Sequence, residues 1–292
     1  MKIQSRLTPY FFISGALIFL FVLTIFPLLY SLVLSFHDWN LTKSVSWEFV
    51  GFRNYWEILK NPVFWRVIIN TFIFTISSVS LQFAFGLGLA NLFNKEIKGE
   101  GVIRSAMVLP MVIPSILVGL IWLFMYKRDF GIINYMLGLL NIQPIAWLST
   151  SMNSMAAIII ADVWQWTPFM FLLLLAGLRS LPTEQYESAR VDGASSWQIF
   201  RYITLPLLRP VITIALVIRS MDAFREFDKI FQLTGGGPGV ATETISLFIY
   251  RNGFRYFNMG YASAISYLTL IIIIIFSTLY IRVFQRREES KV

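Results

Sequence analysis

The chain has 292 residues, of which 57% are hydrophobic, 16% aromatic and only 14% charged. Soluble domains carry about a quarter charged residues, so this balance excludes disorder, collagen, a coiled coil and a disulfide scaffold. The absence of cysteine and the single histidine, His37, exclude thiolate chemistry and multi-histidine metal sites. The net charge of +8 is spread over short segments between long apolar blocks. That is the pattern of juxtamembrane charge, not of a nucleic-acid surface, and the chain reads as an integral membrane protein.

A helix needs about 20 apolar residues to cross the hydrocarbon. Six stretches meet this length: Pro9–Phe36, Val67–Phe93, Ile103–Tyr126, Met155–Leu178, Pro206–Phe224 and Tyr261–Val283. The first follows Lys2 and Arg6 but lacks a small-residue cleavage pattern, so it is expected to be a retained span. Ile132–Leu140 is too short to cross and is expected in the interface. The expected fold is therefore all-α: one transmembrane domain over 1–292 with six spans and both termini on one side. Lys95, Lys98, Arg104, Arg179, Arg190, Arg201, Arg282, Arg286, Arg287 and Lys291 fall in the same set of segments as Lys2 and Arg6. The density of basic residues places that side in the cytoplasm.

Several spans are interrupted by proline, at Pro110 and Pro114, at Pro168, and at Pro206 and Pro210. Proline removes a backbone donor, which a membrane tolerates where neighbours or a cavity satisfy the freed carbonyls. Asn70, Gln82, Asp162, Gln165, Arg219 and Asp222 also lie within or beside the apolar blocks. Neutral ones can bridge helices. The three charged ones are expected in ion pairs or along a polar route, because intramembrane charge is costly.

The loop 179–205 carries the sharpest local chemistry. Thr183 is expected to cap a helix ending near Asp192, with Gly193 as its stop. Ser195 and Gln198 have capping-box spacing for a second short helix. Two short helices meeting at a glycine elbow, with small residues Ser188, Ala189 and Ala194, would form a knob suited to a partner's groove.

Glu187-Ser188-Ala189, then Gly193, then Ile203-Thr204-Leu205-Pro206 resembles the cytoplasmic signature of binding-protein-dependent ABC importer permeases. Ser188 departs from that family's alanine, a small-for-small change. Ile25-Phe-Pro-Leu-Leu-Tyr-Ser-Leu, Phe49-Val-Gly-Phe-Arg-Asn-Tyr55, Leu233-Thr-Gly-Gly-Gly-Pro238 and Ala241-Thr-Glu-Thr-Ile-Ser-Leu-Phe-Ile-Tyr250 are similar to its carbohydrate branch, of maltose and glycerol-phosphate type. The resemblance covers essentially the whole chain. It implies a coupling helix seated in an ATPase subunit, with Glu187, Ser188, Ala189, Asp192, Gly193, Ile203, Leu205 and Pro206 at that contact. It also implies a bacterial inner-membrane location, a second permease subunit of related but distinct sequence, two ATPase subunits and an extracytoplasmic solute-binding protein. ATP and Mg would be bound by the ATPase, with no cofactor, metal or catalytic residue in this chain.

The same resemblance places sugar contacts on matching segments: Met111 and Ser115 around Pro114, Trp164, Trp166 and Phe169, and Asp222, Arg225 and Glu226. An aromatic face suits the C–H side of a pyranose, although Trp166 equally fits an anchoring role. Arg225 and Glu226 could pair with each other or with Asp222, or Arg219 and Arg225 could meet an acidic saccharide. Cargo therefore stays open between neutral sugar, acidic saccharide, polyol and glycerol phosphate. An ion-coupled carrier using Asp162 or Asp222 predicts an inverted repeat that the sequence does not display. A membrane enzyme lacks a clustered acid–base set. Gly235–Gly239 lacks the Lys-Ser/Thr of a phosphate loop and is expected to be a tight turn. His37-Asp38 has no nucleophile beside it, and Asn40-Leu-Thr42 matches a glycosylation sequon without consequence in a bacterial permease.

Overall fold

The computed structural model describes residues 13–43, 47–94 and 99–289. The expectations for Lys2, Arg6, Lys95, Lys98, Lys291 and the start of the first span at Pro9 fall outside them. The helices are α1 (Ile13–Ser35), α2 (Arg53–Lys60), α3 (Pro62–Phe93), α4 (Glu100–Val112), α5 (Ser115–Met125), α6 (Ile132–Leu139), α7 (Ser151–Arg179), α8 (Glu184–Val191), α9 (Ser196–Phe224), α10 (Asp228–Leu233), α11 (Ile245–Tyr250) and α12 (Met259–Glu289). A small antiparallel ribbon, β1 (His37–Asp38) with β2 (Glu48–Phe49), follows α1. Among the described residues, α1, α3, α7, α9 and the Met259–Thr278 part of α12 are each long and apolar enough to cross a membrane. Helices α4 and α5 are together long and apolar enough for one broken span or a re-entrant loop.

Two compact units divide the chain. The first holds the residues up to Phe64 and Phe248–Ile272. Its polar contacts organise the loop after α1: Asn54, buried on α2, donates through Nδ2 to the carbonyls of Ser35 and His37, each at 2.9 Å. The ring of His37 packs on Trp47 and Phe49, and its Nδ1 lies 2.7 Å from the Val33 carbonyl oxygen. These contacts hold the histidine within the loop. Asn40 Oδ1 accepts from the backbone and hydroxyl of Thr42, so the sequon residues close a local turn.

The second unit, Trp65–Leu247 with Ile273 onward, holds the candidate site. Its apolar core joins Ala90 and Phe93 of α3, Phe171, Leu174, Leu175 and Leu178 of α7, and Leu208 and Ile212 of α9. At the far end of α3, the Asn70 amide donates to the carbonyls of Val240 and Glu243 and so ties down the glycine-rich loop. That loop is a turn, with left-handed backbone at Gly235, Gly236 and Gly239.

Two spans differ from their sequence expectations. The stretch 103–126 is not one kinked helix: α4 and α5 meet at an angle of 96°. Pro114 has no N–H, and Ile113 before it is extended at ψ 128°, as the clash of a proline ring with the preceding residue requires. The fifth span does not begin at Pro206. The helix runs unbroken from Ser196 to Phe224, because the turn Phe200–Thr204 widens to π geometry and the Leu205 N–H bonds back to the Phe200 carbonyl. The wider turn accommodates a residue that cannot donate. Pro168 and Pro210 likewise sit inside continuous helices.

Candidate functional site

The bent pair α4–α5 has a counterpart. Helix α9 ends at Phe224, and after Arg225–Phe227 the chain resumes as α10. The two halves α10 and α5 pack closely: a Cβ on Gly119 would lie 2.8 Å from Cβ of Gln232, so only glycine lets the backbones approach this far. Two interruptions are thus brought to one place, against the middle of the unbroken helix α7.

Asp162 of α7 sits at that junction and is fully buried. Both of its oxygens accept from Arg219 Nη2, at 2.8 and 2.6 Å. Lys229 Nζ lies 3.0 Å from Oδ1, and Gln82 Nε2 donates to Oδ2 at 2.8 Å. Lys229 also donates to Glu226 Oε2 at 2.8 Å and to Gln165 Oε1 at 2.9 Å. Gln165, one turn beyond Asp162, turns its amide the other way and donates at 2.9 Å to the Ile113 carbonyl at the α4–α5 break. A carbonyl freed by the interruption is thereby satisfied inside the protein, as a low-dielectric surrounding demands.

The cluster holds two cations and two carboxylates in Asp162, Arg219, Glu226 and Lys229. It links α3, α7, α9, α10 and the α4–α5 break. A buried pair such as this gains little over apolar residues but costs several kcal/mol when one partner is removed. The indole of Trp166 covers the Arg219 guanidinium at 5.0 Å, a cation–π contact.

The proposed pathway residues separate accordingly. Ser115 and Glu226 join the cluster, the first within 3.5 Å of Gln165 Oε1. Met111 is half-buried on the last turn of α4. Trp166 faces the cluster with Phe169 edge-on to it at 6.4 Å, whereas Trp164 is 40% exposed and stands against Trp122 instead. Arg225 pairs with Asp222 at 3.0 Å and not with Glu226, whose partner is Lys229. Lys229 is the residue that sequence reasoning missed. Its signal was a lysine just after a span, three residues beyond Glu226.

The loop before α9 forms a second constellation. Helix α8 ends where expected: Gly193 takes φ +76°, and the Ala194 N–H reaches back to the Ala189 carbonyl at 2.9 Å. The box of Ser195 and Gln198 is present in both directions. Thr183 departs from expectation, since its side chain makes no capping bond. Its own backbone is already helical there, at φ −73° and ψ −28°, which turns the hydroxyl away from the first-turn amides. Tyr186 anchors α8 instead, donating to Thr204 Oγ1 in the π turn at 3.1 Å. Glu187, Ser188, Asp192 and Gly193 are exposed, and Ala189, Ile203, Leu205 and Pro206 are half-buried. A hollow of about 290 Å³ lies in the crook of the elbow, lined among others by Gly193, Gln198 and Tyr202.

At the root of this loop Arg179 donates to the Phe93 carbonyl at 2.9 Å and to both oxygens of Glu100 at 2.8 Å. The ends of α3, α4 and α7 are pinned together there.

Residues 82–290 match the family described as binding-protein-dependent transport system inner membrane component. The trehalose/maltose transport system permease protein MalF of Thermococcus litoralis is 40% identical over 292 residues, covering 99% of this chain and 97% of its own. The sulfoquinovosyl glycerol transport system permease protein SmoG of Agrobacterium fabrum is 32% identical over 288 residues, covering 99% and 94%. Among solved structures, a bacterial ABC transporter involved in the import of the acidic polysaccharide alginate superposes with a TM-score of 0.82. The match covers 98% of this chain and 99% of that one at 22% identity, a likeness of fold.

Proposed function

The chain belongs to the binding-protein-dependent transport system inner membrane component family, and from that premise we propose that it is one permease subunit of an ATP-driven importer for a sugar or oligosaccharide. The observation that carries the reading is the continuity of α9. One helix leads from the exposed elbow at Gly193–Ser195 to the break at Arg225, where the interrupted spans meet. Displacement of the elbow is delivered to the junction by a rod about 40 Å long, at 1.5 Å per residue.

In this reading α8 is the coupling helix. Glu187, Ser188, Ala189, Asp192 and Gly193 contact an ATPase subunit, while Ile203, Leu205 and Pro206 stiffen the start of the rod. ATP and Mg are bound there, outside this chain. A second, related permease completes the route across the membrane, and a solute-binding protein delivers cargo from the far side. The chain crosses six times, counting α4–α5 as one broken span, with both termini in the cytoplasm. Discontinuous helices offer backbone ends and side chains to a solute in mid-membrane; Met111, Ser115, Asp222, Arg225 and Glu226 lie within a turn of the two breaks, and with Trp164, Trp166 and Phe169 of α7 they form the pathway set of this reading.

Alternating access follows if ATP favours one arrangement of the two permeases. About 5.5 kcal/mol of differential affinity shifts a population from 1:99 to 99:1, and hinge or shear motion of packed helices supplies the change. The relatives' names support saccharide cargo, with an acidic saccharide, polyol or glycerol phosphate as the alternative.

The test is ATP hydrolysis by the reconstituted complex with its binding protein and a saccharide panel. Gly193→Asp puts a side chain on a left-handed residue in the middle of the docking face. It is expected to abolish saccharide-stimulated hydrolysis while the complex still assembles. Uptake that persists without any ATPase subunit would refute the reading.

A further inference from the structure

We infer that α2 is a membrane-surface helix, whose exposed stripe of Phe52, Trp56 and Leu59 is seated in the lipid headgroup region beside the ends of α1 and α3. The inference is independent of cargo and of the direction in which the chain crosses the bilayer. It needs only that α1 and α3 span it.

The stripe follows from the helix itself. The helical repeat puts Asn54, Tyr55 and Ile58 on one side of α2, and that side faces the protein: Asn54 and Ile58 are buried and Tyr55 is half-buried. Arg53, Glu57 and Lys60 share another side, where Arg53 Nε donates to Glu57 Oε1 at 2.9 Å with both side chains exposed. Between the two lie Phe52, Trp56 and Leu59, within about 60° of each other around the axis. Phe52 starts the helix, since its carbonyl accepts from the Trp56 N–H at 3.0 Å. The three residues are 73%, 61% and 41% exposed. On an ordinary surface helix everything outside the buried side is polar. Here the fold leaves a third, apolar side open.

What covers that side is decided by its height. Asn61 alone separates α2 from α3. Its ψ of 115° ends one helix, and its Oδ1 accepts from the Val63 N–H at 2.9 Å at the start of the other. The last residue of α1 is tied to α2 as well: Asn54 Nδ2 donates to the Ser35 carbonyl at 2.9 Å, and the hydroxyls of Ser35 and Tyr55 lie 2.6 Å apart. Phe36, just beyond α1, stands edge-on to Phe52 at 5.2 Å. Two apolar helices of spanning length thus hold α2 at the level where both leave the membrane. Its eight residues make about 12 Å of helix, far short of the hydrocarbon thickness. Arg53, Glu57 and Lys60 bar it from the hydrocarbon itself. The remaining place is the interface, where tryptophan is enriched and an amphipathic helix buries its apolar side. Lys60 suits that place: its Nζ lies 4.7 Å from the centre of the Trp56 ring, so its stem follows the stripe while the ammonium can reach lipid phosphate.

The experiment is spin labelling of the complete complex in vesicles of phosphatidylethanolamine and phosphatidylglycerol. The chain has no cysteine, so Phe52→Cys, Arg53→Cys, Trp56→Cys, Glu57→Cys and Leu59→Cys each give it a single label, once the partner subunits' own cysteines are replaced. Collision of the label with oxygen, which partitions into lipid, is compared with collision with a water-soluble nickel chelate. Labels in place of Phe52, Trp56 and Leu59 are expected to lie about 5–10 Å deeper than those in place of Arg53 and Glu57, with the chelate excluded. Free access of the chelate to all five would put the stripe in water and overturn the inference. Exclusion of both reagents from the stripe would also overturn it, because another protein would then be the cover. A second measurement needs no substitution: a phospholipid with a photoreactive diazirine near its headgroup is activated in the unmodified complex. Adducts are expected on residues 52–60, and their absence there, with adducts present elsewhere in the complex, would count against the inference in the same way.

Discussion

The elbow at Gly193 and the junction at Asp162 are built on opposite principles. In the elbow nearly every stabilising contact joins residues within five positions of each other: the Gly193 stop, the Ala194–Ala189 bond and the reciprocal bonds of Ser195 and Gln198. Its side chains are mostly exposed, and its shape is a property of the backbone. At the junction the key contacts join residues far apart in the chain, Gln82 with Asp162, Asp162 with Arg219 and Lys229, and Gln165 with Ile113. There the side chains are buried and the shape is a property of the packing. A surface proposed to dock on another protein can be made locally, whereas a junction of interrupted helices needs partners drawn from several helices.

The comparison breaks most visibly at Asp162. Replacing it with Ala leaves Arg219 and Lys229 buried without their shared carboxylate, a loss of about 3–5 kcal/mol. The expected outcome is a large drop in thermal stability and in yield from the membrane. Stability unchanged from the unmodified protein would show that the cluster is hydrated and not a clasp. Gln165→Leu should be milder. It removes the acceptor from Lys229 and the donor from the Ile113 carbonyl, costing about 1–3 kcal/mol. Because it loosens the α4–α5 break, proteolysis or hydrogen exchange should report faster opening at residues 112–118, and protection equal to the unmodified chain would count against the link. Ser195→Ala tests the other region. Loss of the cap costs about 1 kcal/mol, spent locally, so global stability should hardly move while coupled ATP hydrolysis declines. A global destabilisation comparable to that of Asp162→Ala would erase the distinction between the two regions.

How much was legible follows the same division. The elbow was readable almost residue by residue because capping boxes and glycine stops act over one helical turn. Thr183 was the exception, and the reason was also local: its backbone had already entered the helix. Asp162, Gln165, Arg219 and Gln82 were recognisable as out of place among apolar residues, but their grouping was not. Lys229 went unnoticed because it lies beyond the end of a span, in a segment whose own periodicity is too short to read. The pairings of Arg225 and Glu226 were left open, since each has an opposite charge at i±3 as well as beside it.

What the sequence by itself determined is the membrane class, the apolar stretches and the elbow, since hydropathy, cap chemistry and glycine conformation depend on neighbours along the chain. What only the tertiary structure decided is that Pro114 turns one span through 96° while Pro206 merely widens another, and that the charges of distant helices cancel around Asp162. Proline dictates a missing donor but not how the freed carbonyl is satisfied. That depends on whether a partner such as Gln165 is carried to it by another helix, and proximity of that kind is a property of the folded chain.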